Sequence, residues 1–227
     1  MHRTWFAFVC ASGPFLLGCG QDELEGGGES PSPHACDASA EATRTVSCVE
    51  SFEPGEAAGF GTERYPEVIY GLPLGNGETQ GGIDVLSLGR QGVVTVGFGG
   101  NTILDGPGVD FVVFENPFVY GSMSDKVFSE LGEVSVSSDG ETWVTFPCAA
   151  ESTPPLGCAG YAPVFANGDL GISAFDPAVS GGDFFDLNMV GVSEARFVRI
   201  RDVQGAGAAP TAGFDLDAVA IVHAEVP

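Results

Sequence analysis

Glu133-Val-Ser-Val-Ser-Ser-Asp-Gly-Glu-Thr-Trp-Val-Thr-Phe146 is the stretch on which the fold turns. Glu133 to Ser137 alternates strictly between polar and apolar residues, the period of a half-buried strand. Ser138-Asp139-Gly140 has turn chemistry, and Thr142 to Phe146 returns as a second strand in which Trp143 is expected to pack into the core. Working outward, Val109-Asp-Phe-Val-Val-Phe-Glu115 is a nearly continuous apolar run, fit for a strand buried on both faces. Ile83 to Leu88 and Gly92 to Phe98, joined by Gly89-Arg-Gln-Gly92, read as a hairpin. Arg196 to Arg201 and Phe214 to Val222 complete the set, and no stretch from about Val46 onward has helical periodicity. The expected fold is all-β: a single antiparallel β-sandwich over residues 46–227.

Composition agrees. Among 227 residues, 34 glycines and 15 prolines favour tight turns over long helices, while a 44% hydrophobic content is enough for a proper core. The charge is lopsided, with 31 acidic residues against 8 Lys and Arg and a net charge of −23. Such a surface repels phosphate backbones, which argues against nucleic acid as a partner. Gly97-Phe-Gly-Gly100 lacks the Gly-Lys-Ser/Thr and the following helix of a phosphate cradle, so no nucleotide is expected either.

The N-terminus reads as an export signal over residues 1–18: His2 and Arg3 precede an apolar stretch too short to span a bilayer. It ends in Leu16-Leu17-Gly18-Cys19, which resembles the lipobox of bacterial lipoproteins. That resemblance implies cleavage before Cys19, lipidation of its sulfur and a membrane anchor. The alternative is an ordinary secretory signal with an incidental cysteine. Residues 19–45, rich in Gly, Glu, Ser and Pro, read as a flexible acidic tether. Gly20 differs from the Asp that commonly retains lipoproteins at the inner membrane, which favours the outer membrane or cell surface. Export makes disulfides expected among Cys36, Cys48, Cys148 and Cys158. Of three connectivities, the local pairs Cys36–Cys48 and Cys148–Cys158 close the shortest loops. Zinc fits poorly, since no Cys-x-x-Cys occurs.

Glu133 to Trp143, followed by Ala195-Arg-Phe-Val-Arg-Ile-Arg201, resembles the discoidin-like, galactose-binding-like jelly roll. The region Val49–Glu225 is similar to a family of bacterial secreted or lipid-anchored cell-surface proteins. The motifs that carry this are Ser51-Phe-Glu-Pro-Gly55, Asp105-Gly-Pro-Gly-Val-Asp-Phe111, Phe114-Glu-Asn-Pro-Phe118, Asp183-Phe-Phe-Asp186 and Gly213-Phe-Asp-Leu-Asp-Ala-Val219. The resemblance implies a jelly-roll fold, surface display and, as in many galactose-binding-like modules, a structural calcium held near the last strand.

Chemistry is sparse. His223 is the one histidine of residues 46–227, and no Gly-x-Ser-x-Gly occurs, so a Ser–His–Asp site is not expected. Acids alone do not make a glycosidase, although a carboxylate-based hydrolase or lyase stays open. With Trp143 assigned to the core, Tyr65, Tyr70, Tyr120 and Tyr161 remain as platforms for a sugar ring.

The acids form three groups. Asp215 and Asp217, two apart on the last strand, would project to one face ~7 Å apart, with Phe214, Leu216 and Ala218 facing the core. Two like charges there call for Ca²⁺, or for Arg199 and Arg201 across the strands. Asp105 and Asp110 enclose a second, weaker calcium candidate, in which Asp105 alternatively just caps a turn. Asp176 with Asp183 and Asp186 reads as a surface loop. Glu115, Asn116 and Tyr120, after the buried strand, are placed at the sandwich rim as ligand-binding candidates. The functional expectation is a non-enzymatic surface lipoprotein that binds a carbohydrate or envelope partner through rim loops. The alternative is a structural subunit of an envelope assembly.

Overall fold

The structure, a computed structural model, describes residues 36–121 and 126–227. The export signal, Cys19 and the tether up to residue 35 lie outside the described residues. In chain order the strands are β1 (Cys48–Glu53), β2 (Leu86–Ser87), β3 (Val93–Gly97), β4 (Ile103–Leu104) and β5 (Phe111–Phe114). Then come β6 (Phe118–Val119), β7 (Val127–Phe128), β8 (Gly132–Ser137), β9 (Val144–Thr145) and β10 (Asp183–Phe185). The last are β11 (Glu194–Ala195), β12 (Phe197–Asp202), β13 (Asp215–Leu216) and β14 (Ala218–Ile221). Helices among the described residues are single 3₁₀ turns, and none is long and apolar enough to cross a membrane.

Two sheets face one another: five strands in the order β1-β3-β12-β8-β9, and three in the order β10-β5-β14. All their pairings are antiparallel. Alternation along each strand fills the space between them. Val94, Val96, Val134, Val136, Val198 and Ile200 point in from the larger sheet and meet Phe111, Val113, Phe185, Val219 and Ile221 from the smaller. The opposite face of β5 and β14, with Val112, Phe114, Ala218 and Ala220, packs on Val164, Ala166 and Ala174 in a second core. β5 is therefore buried on both faces, as its apolar run predicts, and the β8–β9 hairpin also forms.

Three expectations change. Leu86 and Ser87 do not form a hairpin with β3; they pair with β13, while β3 pairs with β1 and β12. The last strand is not continuous, because it breaks at Asp217 between β13 and β14, which lie in different sheets. The break also flips the alternation: Phe214 and Leu216 enter the main core, as do Val219 and Ile221, whereas Ala218 turns to the second core.

The folded unit also reaches back past residue 46. Thr43 N–H donates to Phe98 O (3.1 Å), and the Arg44 guanidinium donates to the Ile221 and Val222 carbonyls. Residues 36–45 are thus part of the domain rather than tether. They approach β3 so closely that a Cβ on Gly99 would lie 2.0 Å from Glu41 O, and one on Gly97 would lie 2.7 Å from Cys36 Sγ. Disulfides join Cys36 to Cys48 and Cys148 to Cys158, the local pairing preferred from spacing.

Candidate metal centre

Three carboxylates converge at one end of the sandwich: Glu115, Glu130 and Asp215 each offer an oxygen within 4.8 Å of the other two. Each is placed by its own backbone logic. Glu115 follows β5 and shares the alternation of Phe111 and Val113, so it continues their inward face. Asp215 opens β13 directly opposite Ser87. Gly213, at φ 75°, turns the chain into that strand, and a Cβ there would meet Gly89 O at 2.4 Å. Glu130 immediately precedes Leu131, whose backbone pairs with Gln204 and Val203 at the start of β8.

Burial is nearly complete, at 1% exposure for Glu115 and Glu130 and 6% for Asp215. Asp215 has neutral partners: the Ser87 hydroxyl donates to one oxygen, and Asn116 Nδ2 lies 3.5 Å from the other. Asn116 Nδ2 also donates to Gly82 O at 2.9 Å. Both carboxylate oxygens of Glu115, and Oε1 of Glu130, have no hydrogen-bond partner. None of the ion pairs among the described residues reaches the three acids. Buried carboxylates are normally paired, bound to a metal or neutralised by a proton, so these orphaned oxygens call for a cation or a retained proton.

The electrostatics follow. Burial, then the neighbouring Asp215 and Glu130, raises the Glu115 carboxyl well above the usual range. Burial, with Asp215 and Asp202 nearby, pushes Glu130 up to about 8. Burial lifts Asp215 to about 6 against the opposing hydrogen bonds from Ser87 and Asn116. The donor set is all oxygen, which suits a hard divalent cation. Any two of these oxygens are close enough to share one ion, since two oxygens each ~2.4 Å from one Ca²⁺ lie at most ~4.8 Å apart.

The other expected site residues fall elsewhere. Asp217, across the strand break, accepts from Leu74 N–H at 3.2 Å, and burial raises its carboxyl to about 8. It does not share a site with Asp215. Arg199 and Arg201 do not pair with either acid. Arg199 stacks on Trp143 at 3.6 Å and donates to Thr95, while Arg201 pairs with Glu133 at 2.7 Å. The inward alternation of Val198 and Ile200 sends both arginines to the outer face.

Asp105 is exposed, whereas Asp110 is fully buried and joins it and Asp186 in a second acidic group. It is Asp110, not Asp105, that ties the turn, accepting from Gly106 N–H (2.8 Å) and Leu187 N–H (2.7 Å) and bonding His223 Nδ1 (2.8 Å). Asp186 likewise accepts from Asn188 N–H, and Asp176 from Ala178 N–H.

Of the rim candidates, Glu115 and Asn116 stand at the centre, but Glu115 is buried instead of facing a ligand. Tyr120 is exposed after β6 and is not part of the group. Glu130 has no local signal in the sequence. Trp143 does have one, in the alternation itself: Val144 pairs with Val136 on the inner face, which sends Trp143 and Thr145 outward. Its assignment to the core is therefore corrected. In comparisons with known proteins, no family model and no curated protein matches the chain.

Proposed function

We propose that the protein is a non-enzymatic, exported surface module, lipid-anchored at Cys19, whose sandwich presents a binding surface to a carbohydrate or envelope partner and is braced internally by Ca²⁺. The observation that supports it best is the pair of orphaned glutamates, Glu115 and Glu130, beside Asp215. Calcium would supply the positive charge that the protein lacks there, with Ser87 and Asn116 holding Asp215 in place. The same burial argues against catalysis, because a substrate cannot reach carboxylates that are 1% exposed. Two disulfides suit an oxidising compartment outside the cytoplasm.

Thermal melts in excess Ca²⁺ and in chelator test the brace. Occupancy at about 100 times the dissociation constant stabilises by about 2.7 kcal/mol, a rise of roughly 5–11 °C for a domain of this size. Coincident melts would remove calcium from the reading. The structural-subunit alternative draws on one apolar groove, where Leu156 (62% exposed) and Met189 (74%) flank Cys148 and Gly157. Concentration-dependent self-association by light scattering, lost in Leu156→Ser, would favour it.

A further inference from the structure

The outward face of the five-stranded sheet carries a second, unrelated feature: a groove of about 380 Å³ over β12 and its neighbours. Strand register lays two rows of side chains across its floor. One row runs Glu53, Val93, Arg201, Glu133. The other runs Ser51, Thr95, Arg199, Ser135, Thr145, so that a single guanidinium sits in a line of hydroxyls.

Arg199 is held rigidly. The Trp143 ring covers it at 3.6 Å, and its Nε donates to Thr95 Oγ1 at 3.2 Å. Trp143 is itself fixed by Nε1 donating to Gly140 O at 3.1 Å. Both Nη groups of Arg199 are left without a protein acceptor among the described residues. Arg201 occupies one oxygen of Glu133 and leaves the other open. Glu53 is exposed on β1.

The charges select the occupant. Two carboxylates offset two guanidiniums, so the groove is locally neutral in a chain of net charge −23. A polyanion meets Glu53, Glu133 and the overall field, and a basic peptide meets Arg199 and Arg201. An apolar segment would leave the hydroxyls and guanidinium unpaired. A neutral sugar ring carries hydroxyls that both donate and accept, and so can satisfy charged donors and acceptors set side by side at the ~4.8 Å strand spacing. The exposed part of the indole supplies an amphipathic wall, and a site built on strands holds its geometry better than one on loops.

We infer that this groove is a saccharide-binding site for neutral glycans, with Arg199, Glu53 and Glu133 hydrogen-bonding the ring hydroxyls and Trp143 as its wall. The inference rests on the carbohydrate reading above and moves the contact from the rim loops to the sheet face.

Affinity electrophoresis of the full chain through gels containing a soluble β-glucan, xylan, mannan or galactan, or acidic polygalacturonate, tests it. The expected result is retardation by at least one neutral polysaccharide and not by polygalacturonate. Binding should weaken at least 10-fold in Trp143→Ala and Arg199→Gln, and about 3-fold in Glu53→Gln, an exposed site where folding is not at stake. Matching melting temperatures would show that the variants are folded. Binding that survives unchanged in all three variants overturns the groove while leaving the carbohydrate reading intact. Retardation only by polygalacturonate overturns the neutral-ligand assignment, and no retardation in any gel overturns both.

Discussion

Among the described residues two groups of three carboxylates converge, and they resolve the same electrostatic problem in opposite ways. Around Asp110, backbone N–H groups of Gly106 and Leu187 and the His223 ring surround the buried acid, while Asp186 takes an N–H of its own and Asp105 stays in water. Around Glu115 the donors are few: the Asn116 and Gly213 N–H groups hold the Glu115 and Glu130 carboxyls down only slightly, and both Glu115 oxygens and one of Glu130 have no well-formed hydrogen bond at 1% exposure. Acid count is therefore no guide to a cation site. The supply of N–H donors is what separates a carboxylate that organises a turn from one left free to take a proton or a cation.

The contrast can be tested, and the largest effect belongs to the satisfied group. Asp110→Ala strands three hydrogen-bonding partners, a loss of about 3–5 kcal/mol. That is a fall of roughly 6–20 °C in Tm, of equal size in Ca²⁺ and in chelator. A fall seen in Ca²⁺ alone would put the cation on the wrong group.

Next comes the Ca²⁺-dependent rise of roughly 5–11 °C, which should vanish in Glu115→Gln and Asp215→Asn. Glu115→Gln should also melt no lower than the parent in chelator, because it removes an unpaired buried acid. A lower metal-free Tm would mean that Glu115 is satisfied by something other than a cation.

A smaller effect lies in pH. The folded chain holds the Glu130 proton up to about 8 and that of Asp215 up to about 6, whereas the unfolded chain releases both near 4. Across that window the unfolded state binds fewer protons, so metal-free stability falls as pH rises. The hydrogen bonds that hold the Asp139 carboxyl at about 2 act below this window and do not mask the trend. Since Ca²⁺ must displace the retained protons, the gap between melts with and without it should widen from pH 5 to pH 8. A gap that narrows would contradict an ionised centre.

The smallest effect is expected at Asp217, whose only described side-chain partner is Leu74 N–H. Asp217→Asn should leave the Ca²⁺ shift within about a degree of the parent value, which titration of the shift in both proteins would check. Loss of the shift would restore the pairing of Asp215 with Asp217.

Local periodicity made much of the fold legible. The β8–β9 hairpin and the doubly buried β5 follow from alternation and turn residues alone, because both depend on neighbours within a few residues. Trp143 was legible too, had its phase been counted from Val144 and Phe146. The partner of β2 was not, since Leu86 and Ser87 pair with a strand more than a hundred residues away. Nor was the break at Asp217, where the chain changes sheets and a two-residue spacing stops meaning a shared face. Two of the three acids of the candidate site were legible: Asp215 as a candidate metal ligand, and Glu115 as a candidate of another kind.

The amino-acid sequence by itself determined the all-β class, the double burial of β5, the β8–β9 hairpin and the local cysteine pairs, because these are set by residues close along the chain. Only the tertiary structure decided which acids meet. Glu130 comes to Glu115 and Asp215 from a segment with no periodic signal, Asp217 is turned away by a sheet crossing, and Asp110 meets the Leu187 N–H and the His223 ring from segments far along the chain. A carboxylate's need for a counter-charge depends on everything that surrounds it in space, which no short window of sequence contains.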